Sequence, residues 1–142
     1  MKGHELSPED RRFRESFEAG HLDPAGFDHR AHLRVAYAYL VDNDDEAAID
    51  LMRSALLGFL RAHGIDASKY HETMTRAWIL AVRHFMEITP PCPSSHAFIE
   101  ANPRMLDAKI MLTHYSADLL FSPQAREKFV EPDLDRIPRH DS

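Results

Sequence analysis

Between residues 45 and 60 an apolar stripe of Ala48, Leu51, Met52, Ala55, Leu56, Phe59 and Leu60 recurs at three-and-four spacing. Only an α-helix turns that spacing into one continuous face; a strand would scatter the same residues over both of its sides. The helix is predicted from Asp45 to His63, with Gly64 as its stop. Similar punctuation recurs along the chain. Ser7-Pro8-Glu9-Asp10 reads as an N-cap, a proline at the first helical position and acids in the first turn, opening a helix to about Ala19 that Gly20 ends. Asp28 caps a second helix reaching about Val41, and DNDD makes the next turn. Ser68 caps a fourth helix from Lys69 to about Ile88, apolar on most sides, which Pro90, Pro91 and Pro93 terminate.

The remainder is predicted as shorter pieces. These are a helix at Ser95–Glu100, a break at Asn102-Pro103, a helix at Leu106–Tyr115, a last piece from Ser122-Pro123, and a frayed, irregular tail over 131–142. No stretch alternates polar and apolar residues long enough for a sheet. The expected fold is all-α: one domain over residues 1–142, an up-down bundle of about four main helices with short C-terminal helices. At 142 residues there is room for a single core.

Charge and composition exclude several functions. A formal charge of −6, with acids and bases interspersed, lacks the basic patch that nucleic acid requires. No apolar run approaches the roughly 20 residues of a membrane helix, and the start MKGHELSPEDRRFRE is charged throughout, so a cytoplasmic location is expected. Cys92, the single cysteine, lies in TPPCPSS; it forms no internal disulfide and rules out a cysteine-based zinc site.

Ten histidines matter only where they converge. His29 and His32 share one face of the second helix, with β-carbons about 5–6 Å apart, and extend the core-facing stripe of Leu33, Ala36, Tyr37 and Leu40. His71 precedes Met74, Trp78, Ala81 and Phe85 on the buried face of the fourth helix, and Glu72 lies at the edge of that face. In an up-down arrangement the second and fourth helices start at the same end of the bundle, so these residues meet there. Neutral imidazoles suit a divalent transition metal (iron, copper, zinc or manganese), and a carboxylate adds charge neutralisation. Asp28 would orient an imidazole from behind. Each residue also has a plainer role. A core histidine is hydrogen-bonded, Glu72 is placed to pair with Arg76 four residues on, and His63 caps its helix. His96 and His114 lie on helices whose packing the sequence leaves open.

Three stretches, GFDHRAHLRVAYAYL, KYHETMTRAWILAV and LLFSPQAREKFVEPDL, resemble a family of small uncharacterised bacterial all-helical proteins. That family carries an H-x-x-H-L motif, a YH-x-T-x-T-x-x-W motif and an F-S-x-x-A…W-V-E-P-D-L ending. The matching positions are His29, His32, Leu33, Tyr70, His71, Thr73, Thr75 and Trp78, with Phe129 standing where the family has tryptophan. The resemblance treats the two histidine segments as a unit and implies no particular reaction.

Two functions follow as expectations. In the first, His29, His32 and His71 bind the metal of a mononuclear enzyme, an oxidoreductase or a hydrolase or lyase. Glu72 is its fourth ligand or general base, and Arg76 helps to receive a small anionic or carbonyl-bearing substrate. In the second, the histidines form a hydrogen-bond network in a non-enzymatic small-ligand-binding or accessory module. The expected partners are a small molecule and, through the apolar fourth helix and the N-terminal phenylalanines, a second copy in a homodimer. Neither nucleic acid nor membrane is expected.

Overall fold

The computed structural model describes residues 3–140, which are all-helical and contain no strand. Helix α1 (Pro8–Glu18) opens on the expected capping box: Ser7 Oγ accepts the Asp10 N–H at 3.0 Å and Asp10 returns the bond to the Ser7 N–H at 3.2 Å. Helix α2 (His29–Asp42) opens on Asp28, whose carboxylate accepts the Ala31 N–H. Helix α3 (Asp45–Ala62) opens on Asp44, and helix α4 spans Glu72–Glu87. Among the major helices α2, α3 and α4 pack mutually, and α2 also touches α1 and the short α5 (Ser95–Ala101). This is the expected bundle, and α2 is its centre: Leu33, Val35, Tyr37, Tyr39 and Leu40 are all buried.

Charged groups fasten the helices at points hydrophobic packing leaves free. Arg83 of α4 holds the α2–α3 turn, donating to Asp45 Oδ1 at 2.7 Å and to the Asn43 carbonyl at 2.9 Å. The buried Asp10 carboxylate ties three helices, accepting from the Ser95 hydroxyl at 2.5 Å, the Ser95 N–H at 2.8 Å and Arg34 at 3.1 Å. These bonds hold its pKa below the carboxylate norm against the opposing effect of burial, which is the largest single influence.

Chain reversal after α1 depends on Gly20, at φ +77°, where an added Cβ would come within 2.9 Å of the Ala62 Cβ. Gly20→Ala is expected to lower stability by about 2 kcal/mol, since a left-handed backbone and a steric conflict coincide. Urea unfolding checks this, and an unchanged midpoint would show that the turn relaxes freely.

Two segments differ from the sequence-based expectation. The helix expected at Leu106–Tyr115 is instead a pair of 3₁₀ turns, Pro103–Leu106 and Ala108–Thr113. The Asp107 carboxylate between them accepts the Lys109 N–H at 3.0 Å, offering the backbone a local alternative to the α-helix. Nor is the tail loose. It is irregular, but Ile137 is buried against α4 with Met111, Tyr115 and Leu120. Backbone groups of Lys128 and Val130 bond to Thr73 Oγ1, and Tyr115 donates to the Val130 carbonyl at 2.6 Å. The C-terminal segment, including α6 (Ala117–Leu120) and α7 (Pro123–Glu127), thereby covers a second face of α4.

Candidate functional site

α2 and α4 begin on the wall of one cavity of about 540 Å³, within the ordinary range for small-molecule sites. His29, His32 and His71 all line it. Its other walls are largely apolar and aromatic: Phe27 before α2, Met52, Leu56 and Phe59 from α3, Met74 and Trp78 from α4. Lys69 and Tyr70 contribute from the connection into α4, and Ala108 from the second 3₁₀ turn.

The three imidazoles are held differently. His29 Nε2–H donates to the Met105 carbonyl at 2.8 Å, which assigns the proton to Nε2 and leaves Nδ1 as an acceptor. Its ring meets Trp78 edge-on at 4.7 Å. His32 makes no side-chain hydrogen bond among the described residues and rests against Phe27, ring to ring at 4.4 Å. Burial, then the neighbouring His29, bring its pKa down from 6.5 to about 4, with Asp28 opposing, so His32 is neutral near pH 7.

His71 is bonded at both nitrogens. Nδ1 accepts the Met74 N–H at 3.1 Å and Nε2–H donates to the Leu120 carbonyl at 2.8 Å. His71 is therefore the N-cap of α4, the place expected of Ser68. Ser68 instead lies in a 3₁₀ turn, Ala67–Lys69, capped by Asp66. Burial and the charge of Arg126 lower the His71 pKa, against the pull of the Leu120 carbonyl.

Glu72 and Arg76 are not among the residues lining the cavity. The Glu72 carboxylate is 9% exposed and receives Arg53 of α3 in a two-point bond of 2.8 and 2.6 Å, together with the Tyr70 hydroxyl at 2.7 Å. Arg53 depresses its pKa, with burial opposing. Arg76 bonds Glu46 at 2.7 Å and lies over the Phe129 ring at 5.1 Å. His63 closes α3 and packs on Phe59, itself a wall of the cavity, with Nε2 buried and unpartnered. His96 pairs with Arg30, and His114 donates to the Asp135 carbonyl.

Among the described residues no three His, Cys, Asp or Glu side chains stand in a metal-holding geometry. The free imidazole nitrogens at the cavity are Nδ1 of His29 and both nitrogens of His32. The three histidines border one cavity without forming a three-residue cluster among the described residues, and the aromatic walls were not expected from the sequence. Phe27 sits in a loop and Phe59 in the stripe of α3, so neither differs in sequence from a core residue.

Comparison with protein families, with characterised proteins and with solved structures gives no match.

Proposed function

We propose that this protein binds a small apolar-bodied molecule in the histidine-lined cavity, one that carries a carbonyl or anionic oxygen beside a hydroxyl or amide donor. The observation that carries this reading is the pairing of unpartnered imidazole nitrogens with aromatic walls. The apolar walls take the body of the ligand. Nδ1 of His29 accepts from its donor, and neutral His32 donates to its oxygen. Lys69, exposed and without an ion pair among the described residues, offers a counter-charge.

Trp78 is the only tryptophan and lines the cavity, so its fluorescence reports occupancy. The anionic probe 1-anilinonaphthalene-8-sulfonate, which has an N–H donor and apolar rings, is expected to bind once per chain and quench Trp78. His32→Leu should weaken it about tenfold, one hydrogen bond's worth. Absence of saturable quenching, or quenching indifferent to both His29→Ala and His32→Leu, would overturn the reading.

One observation favours a second reading, a metal-dependent enzyme. His29 and His71 each donate Nε2–H to a backbone carbonyl at 2.8 Å, the outer support that metal-ligating imidazoles use. His29 Nδ1 and His32 would be the donors; His71 could join only by releasing the Met74 N–H. A bound metal would supply Lewis-acid activation of a carbonyl or of water. Copper(II) at His29 would quench Trp78 at once, and that quenching should vanish in His29→Ala. Failure of copper, zinc, iron and manganese alike to bind at near-stoichiometric levels would remove this reading and leave the first intact.

A further inference from the structure

A second cavity, of about 430 Å³, opens between α4 and the C-terminal segment and shares no lining residue with the first. Leu80, Phe129 and Ile137 give it apolar walls, and Arg136, Arg139 and Glu131 supply its charges. Two guanidiniums against one carboxylate make a positive spot on a chain whose formal charge is −6. Local concentration of charge, rather than the net value, decides what a cavity attracts.

Neither arginine has a close carboxylate partner among the described residues, although Arg139 lies over the Phe129 ring at 6.0 Å. Arg136 is exposed and has no hydrogen bond or ion pair among the described residues. Arg139 stands 3.6 Å from Glu131, beyond hydrogen-bond reach, with both side chains well exposed. An ion pair so open to solvent yields readily to a better acceptor. The contrast with Arg53, Arg76 and Arg83 is direct, since each of those donates to a carboxylate at 2.6–2.8 Å. A planar guanidinium fork matches a phosphoryl group, which offers several oxygens and close to two charges.

We infer that this cavity is a binding site for a small phosphomonoester with a ring-sized apolar portion, its phosphoryl group held by Arg136 and Arg139 and its ring laid on Leu80, Phe129 and Ile137. The site is independent of the histidine-lined cavity.

The test is calorimetric titration of the full chain with phenyl phosphate, alongside ³¹P line broadening. Saturable one-to-one binding is expected. The Arg136→Gln/Arg139→Gln pair should weaken it at least about tenfold, while Glu131→Gln, which removes the competing carboxylate, should tighten it about threefold. The urea midpoint of each variant confirms that the segment stays docked. Absence of saturable binding, or binding equally tight in the double variant, would overturn the inference.

Discussion

Arg53→Ala is expected to cost about 3–5 kcal/mol, the range for breaking a largely buried ion pair from one side. The loss exceeds that of a surface pair, worth at most about 1 kcal/mol, because the carboxylate left behind has nowhere to go. Glu72 is 9% exposed, and it would keep one side-chain hydrogen bond, from the Tyr70 hydroxyl, with the charge of Arg76 acting from farther off. Glu72→Gln should cost less than Arg53→Ala, since it removes the buried charge together with its partner's pull. Urea unfolding of both variants gives the ordering. The pair also separates architecture from chemistry. If Glu72 serves to lock α3 onto α4, Glu72→Gln will bind 1-anilinonaphthalene-8-sulfonate as the unaltered chain does. An Arg53→Ala variant as stable as the parent would show that the buried charge relaxes into water.

Acid should destabilise the protein well before its carboxylates titrate. The His32 pKa is depressed from 6.5 to about 4, and that of His71 is depressed by burial as well. Between those pH values the unfolded chain takes up a proton that the folded chain refuses. Stability is therefore whole above pH 6.5 and falls as the pH drops through 6.5 toward 4. At about 1.4 kcal/mol per pKa unit, His32 alone accounts for about 3 kcal/mol by the end of that window. Asp10 and Glu72, held below their ordinary values of 3.8 and 4.5, give up their contributions only at lower pH still. Urea midpoints at pH 7, 5.5 and 4.5 should trace the fall, and His32→Leu should flatten most of it. His71→Asn should flatten part of the remainder, because asparagine caps a helix without titrating, while His84, whose pKa is lowered by burial and by His140, keeps a share. An unchanged slope in the His32→Leu/His71→Asn pair would sink this account.

What could be read from the residues alone was local or followed from helix order. Ser7, Asp28 and Gly64 marked helix ends because a cap acts within three or four residues of itself. That His29, His32 and His71 border one cavity, though not as a metal-holding cluster, follows from short connections, which force α2 and α4 to begin at the same end. Partners chosen at long range were not legible. The sequence offered Arg76 to Glu72 at helical spacing, whereas the fold supplies Arg53 from 19 residues away. Docking of the tail was hidden too, since Ile137 and the exposed Leu134 are isolated among prolines and charges, and nothing in the sequence marks which of them is buried.

Neutral imidazole carries a single N–H, and Met105 has claimed the one on His29. A ligand beside the unpartnered Nδ1 of the neutral ring would meet a lone pair, so the oxygen of a bare ketone or ether would be repelled at that spot. Under the proposed binding function, the carbonyl of a residue 76 positions along the chain would thus select guests by whether they bring a hydrogen to give.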